Sequence, residues 1–317
     1  VDRTYVLSGN PILPGYSNPG KADRMMYTIL ASLTGVLITL MNSVNSRLAA
    51  TAGYPAAAVT AHVVGLAAVT ILTLARKEPP EPGRVPFRFY LGGFFGVGTI
   101  FACNFAFSTL SASLAVALSL LGQAGFSLLA DGTGLLGRRK YPLGPGRLPG
   151  IALAAAGTAV LGWGGELRWA AVPAALAAGI LPGISFILNS ELGRRRGVLR
   201  SARWNYLTGL AGTAAVAALT GLPAAPAARA VLEAGPLLAL GGGLAGVAVV
   251  ATMNFVFPRV PAFTATILLF SGQALAGVAL DWAARGELDL HKLIGTGIVL
   301  AGLVLDSRIS RRPAAAC

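Results

Sequence analysis

Apolar residues in this chain come in long unbroken runs, without the alternation of a half-buried strand or the one-sided stripe of a surface helix. Ten such segments can be counted, at about 25–45, 55–75, 89–109, 113–130, 147–164, 169–189, 203–221, 235–256, 262–281 and 292–306. A helix rises about 1.5 Å per residue and the hydrocarbon core of a bilayer is about 30 Å thick, so runs near this length suit spanning helices. Inside hydrocarbon the backbone must satisfy its own hydrogen bonds, which leaves helices as the reading. The pattern predicts an all-α polytopic membrane protein with ten transmembrane helices.

The pattern also repeats. Segment 118–131 carries Gly122, Gln123 and, at its end, Asp131; segment 268–281 carries Gly272, Gln273 and Asp281 at the same places, 150 residues on. Other pairs run collinearly: Gly35 with Gly179, Asn45 with Asn189, Gly65 with Gly209, Gly96 with Gly246, Asn104 with Asn254, Gly157 with Gly302. Helices one to five therefore match helices six to ten, an internal duplication. Five is odd, so the second copy enters the membrane from the opposite side. The copies become inverted repeats about a pseudo-twofold axis in the membrane plane. The expected division is a tail at 1–24, a first repeat at 25–166, a second at 167–308 and a tail at 309–317.

Composition agrees, with 12% charged and 55% hydrophobic residues where soluble domains carry about a quarter charged. The balance of 25 basic against 12 acidic residues fits either nucleic acid or a membrane surface, and its distribution favours the membrane. With the N-terminus inside, 20 of the 25 Lys and Arg fall in cytoplasmic segments, as expected of loops on that side. The expectation is a bacterial cytoplasmic (inner) membrane protein with both termini cytoplasmic and residues 1–20 forming an irregular cytoplasmic tail. The stretch after Lys21 imitates a signal peptide, but Gly35 and Asn45 return deep in the chain, as parts of a fold do. Cys103 and Cys317 are the only cysteines, too few for a zinc or disulfide framework.

Amides are costly in hydrocarbon unless paired, so Asn42, Asn45, Asn104, Gln123, Asn189, Asn254 and Gln273 are the candidate substrate-binding residues. Two readings stay open: a ring of donors and acceptors around a central pocket, or hydrogen bonds that hold helices together. Asp131, Asp281, Glu191 and Pro182 are the gating or coupling candidates. Each aspartate lies about 12 Å beyond its glutamine along the helix, where it could end the helix, pair with Arg138 or Arg285, or serve as a gate or proton carrier. Glu191 stands in the place of Arg47, as an inter-half pair or a snorkelling helix end. Pro182 replaces Ile38 and predicts a kink in helix six; Pro258 and Pro261 replace Ser108 and Ser111. His62, matched by Tyr206, reads as a hydrogen-bonded helix residue. Gly92 to Gly98 imitates a phosphate loop but lies inside an apolar span, where small residues serve close packing. With no His-Glu-x-x-His, no Gly-x-Ser-x-Gly and no paired mid-span carboxylates, an enzyme is not expected, nor is any catalytic residue, metal or cofactor.

Taken together, the Gly-Gln…Asp segment, Gly134 to Gly137, Lys140 to Leu143, Arg147 to Gly150, and Asn-Ser-x-Leu closing the first helix of each half resemble the YdcZ-like branch of the drug/metabolite transporter (DMT) superfamily. The resemblance spans about 25–306 and implies an EamA-like bundle. In it, helices one, three and four of each half line the path, and helices five and ten lie at the back. Small multidrug-resistance relatives exchange protons for cationic drugs through a glutamate in the first helix; here that helix offers Asn42 and Asn45. The expected function is a secondary-active transporter, an exporter, of a small neutral or zwitterionic polar metabolite by alternating access. Alternatives are cation or drug efflux, a non-transporting membrane scaffold subunit, and a lipid-modifying enzyme. The expected partners are a small-molecule substrate and the lipid bilayer, without nucleic acid, and with a homodimer left open.

Overall fold

The computed structural model describes residues 21–76, 84–133, 148–161, 167–256, 262–286 and 290–310. The described residues hold eleven α-helices: α1 Lys21–Ala52, α2 Tyr54–Ala75, α3 Gly92–Thr109, α4 Ala112–Thr133, α5 Leu148–Leu161, α6 Val172–Arg196, α7 Val198–Leu219, α8 Ala224–Glu233, α9 Pro236–Val256, α10 Ala262–Arg285 and α11 Leu290–Ser310. Short 3-10 turns at Phe87–Leu91 and Trp169–Ala171 lead into α3 and α6. The N- and C-terminal tails, the basic and Pro-containing stretch after α4, Pro258 and Pro261 lie outside the described residues, as does the side chain of Asp131.

One element was not expected. Between α7 and α9 the chain forms the short helix α8, turned by 118° from α7. Its Val231 packs against the Leu48, Ala49 and Ala57 cluster at one end of the bundle, while Arg229 and Glu233 pair on its exposed side at 2.8 Å. Ten residues are too few to span a bilayer, and an alanine-rich stretch between prolines gives no long apolar run to count. The insertion also explains a change of register between the copies, from 144 residues at Gly65 and Gly209 to 150 at Gly96 and Gly246.

Five of the described helices are long and apolar enough to cross a membrane, or six if α7 and α8 are one broken span; α4, α10 and α11 carry shorter apolar stretches. Large apolar side chains such as Leu33, Ile71, Phe94 and Leu275 point outward, an arrangement stable in lipid and costly in water. Trp169, Trp204 and Trp282 are exposed near helix ends, where amphipathic rings sit at membrane interfaces.

Packing follows the duplication. The first helix of one copy lies against the third and fourth of the other, α1 on α9 and α10, and α6 on α3 and α4. Glycines fix these crossings in matched pairs. A methyl group at Gly35 would overlap the Leu269 carbonyl and one at Gly272 the Ser32 carbonyl, just as Gly179 meets Ser119 and Gly122 meets Leu176. Lipid tails are as apolar as the side chains, so close backbone approach through such residues supplies much of the attraction between helices. α2 crosses α7 the same way, with the His62 ring over Gly209 and the Tyr206 ring over Gly65. The start of α4 lies against the end of α10, with Gly277 beside Ser113, and Gly157 and Leu161 of α5 run against Val299 and Gly295 of α11 in reversed order. Equivalent helices are thus antiparallel, and the copies are inverted repeats. α5 and α11 pair behind α4 and α10.

The loops repeat as well. Gly53 between α1 and α2 has φ 86°, and Gly197 between α6 and α7 has φ 90°. With ψ near 150° at both, this region of backbone space is all but closed to residues with a Cβ.

Candidate functional site

A cavity lies where the two copies meet. α1 brings Asn42 and Asn45, α4 brings Gln123, and α10 brings Gln273 to its wall. These amides arrive because α1 crosses α9 and α10 at glycine contacts, while α4 and α10 pass each other antiparallel at the axis. Gln123 and Gln273 are buried and show no hydrogen-bond partner for their side chains among the described residues, and the same is true of Asn42. Pro182 also lines the cavity, inside α6.

Other candidates lie elsewhere. Asn189 stands behind the wall, its Nδ2 donating to Asn205 Oδ1 at 2.7 Å and Ser185 Oγ at 3.1 Å; Asn205 and Ser185 are themselves wall residues. Its Oδ1 rests against Gly92, and Asn45 Oδ1 rests against Gly242 in the same way. A Cβ at either glycine would collide with the amide, so each Asn-Gly pair locks the first helix of one copy to the third of the other. Asn104 and Asn254 are buried outside the cavity wall, and among the described residues both amide atoms of each have no partner. Glu191 is held on its own helix by Arg194 at 2.8 Å and Arg195 at 2.6 Å.

Asp281 has an unexpected contact. Its carboxylate accepts from the backbone N–H of Ala112 at 3.1 Å and of Ser113 at 3.0 Å, and from the Ser113 hydroxyl. An anion at a helix N-terminus satisfies orphan donors and meets the positive end of the helix dipole. α10 thus caps α4 across the axis, a role no local sequence signal announces.

The sequence also undervalued several wall residues. His62, Thr99, Cys103, Ser119, Ser185 and Asn205 all line the cavity. His62 Nδ1 lies 2.9 Å from the Ala58 carbonyl, which accords with a hydrogen-bonded helix residue, yet the ring also borders the cavity, edge-on to Tyr206 at 6.0 Å. The available signal was positional, since His62 and Tyr206 occupy equivalent places in the two copies.

These features define a class: a helical membrane protein built of inverted repeats around a central polar-and-apolar cavity. The model of the DMT_YdcZ family, described as "Putative inner membrane exporter, YdcZ", matches twice, over residues 26–160 and 170–305, and the chain belongs to this family of inner-membrane proteins. A solved crystal structure 19% identical in sequence aligns over 92% of this chain and 99% of its own, with a TM-score of 0.60. At that identity the likeness is one of fold. The search of curated proteins gave no match.

Proposed function

We propose that the chain is a secondary transporter that exports a small polar metabolite by alternating access. The observation that carries the reading is a cavity on the axis of inverted repeats, walled by one glutamine from each copy that has no side-chain partner among the described residues. The moving bodies in this scheme are composite: α1, α2, α9 and α10 form one, and α3, α4, α6 and α7 the other. Each contributes one glutamine, so the solute keeps an equivalent partner on both sides as the cavity changes face. Cation export would call for a carboxylate in the wall, and among the described residues no wall residue is Asp or Glu.

The test is efflux from proteoliposomes loaded with a soluble metabolite extract, followed by mass spectrometry. Release of particular solutes by the parent protein is expected, reduced roughly 3- to 10-fold by Gln123→Ala and by Gln273→Ala, the worth of one hydrogen bond. Release from parent liposomes no faster than from protein-free ones would leave the scaffold reading in its place.

A further inference from the structure

Resting on the transport reading for its biological meaning, we infer that the central cavity accepts an uncharged, amphipathic solute carrying amide, carbonyl or hydroxyl groups on an apolar, ring-sized frame, and rejects cations and anions alike. The expectation from sequence allowed zwitterions; the wall narrows it.

Three observations converge. First, among the described residues none in the wall is Lys, Arg, Asp or Glu. A charged solute would leave water for a cavity without a counter-charge, a transfer strongly disfavoured when no partner replaces the hydration. Among the described wall residues, the one able to gain a positive charge is His62, whose Nδ1 is engaged at the Ala58 carbonyl and whose ring packs on Gly209 and against Tyr206. The elements around it, α2, α7 and α9, place no carboxylate in the wall to hold an imidazolium.

Second, the polar groups that are present are neutral and two-handed. Gln123, Gln273 and Asn42 each offer a carbonyl acceptor and an amino donor without a protein partner among the described residues. They are matched to a solute bearing both donors and acceptors. Third, Phe107, Phe186, Phe270 and Tyr206 stand in the same wall, giving apolar faces against which a ring can lie. Ligand sites of this kind are mostly apolar with a few placed polar groups, and this wall has that make-up.

Cys103 lies in the wall and is buried, so it reports on what enters. In full-length protein carrying Cys317→Ser, the modification rate of Cys103 is measured with methyl methanethiosulfonate, which is neutral, and with the trimethylammonioethyl and sulfonatoethyl methanethiosulfonates, which are cationic and anionic. Each rate is divided by the rate with the same reagent on detergent-unfolded protein, which removes intrinsic reactivity. The neutral reagent is expected to be favoured by about 100-fold over both charged ones. In Gln273→Glu the cationic reagent should gain at least about tenfold on the anionic one. Equal normalised rates for the neutral and either charged reagent would overturn the inference. The assay needs no transport, so a failure of metabolite efflux and a failure of charge selection are read separately.

Discussion

Single residues carry both the symmetry and the chemistry. Gly53 and Gly197 take the same left-handed conformation in equivalent loops, and alanine at either should lower stability by about 1–3 kcal/mol. Thermal unfolding in detergent measures this; an unchanged melting temperature for both variants would mean that the loops are not built as described. Asn104 and Asn254 pose the opposite case. Removing a buried polar group that has no partner relieves a penalty of roughly 1–3 kcal/mol, so Asn104→Leu and Asn254→Leu should raise the melting temperature. A fall in both would show that their amides are partnered after all. Both asparagines looked like the pocket amides in the sequence, because residue type and a place inside an apolar run are all a sequence shows. Which way a helix faces at that position is decided by its neighbours, and here the wall receives Gln123 and Gln273 and excludes Asn104 and Asn254.

At the level of elements, spans were legible wherever an apolar run exceeded the bilayer thickness, and the duplication was legible from Gly122-Gln123 and Gly272-Gln273. α8 was not, because a ten-residue helix lying across the bundle end needs no such run. The cap that α10 places on α4 was equally hidden: Asp281 and Ser113 are 168 residues apart, and only the antiparallel crossing brings them together. Asp281→Ala should cost about 0.5–2 kcal/mol, the usual worth of an N-cap. Because the Ser113 hydroxyl shares that carboxylate, the loss should be smaller in a Ser113→Ala background. A double-mutant cycle on chemical or thermal unfolding reads the coupling, and strictly additive losses would argue against a shared cap.

For the whole molecule, the unit of sequence and the unit of packing differ. The sequence repeats as first half and second half, yet α1 lies on α9 and α10 while α6 lies on α3 and α4, and the proposed transport scheme takes these as two interleaved bodies facing each other across the cavity. Alternating access then requires α4 and α10, which belong to different bodies, to part at the face where Asp281 caps α4. Joining them there is the most direct test. In a background with Cys103 and Cys317 replaced by serine, Ser113→Cys and Gly277→Cys place two thiols on neighbouring backbone, a Cβ at Gly277 lying 3.3 Å from the Ser113 Cα. Metabolite efflux from proteoliposomes is measured with the bridge oxidised and again after reduction. The account predicts efflux at the background rate when reduced and none when oxidised; undiminished efflux through the fully bridged protein would contradict it.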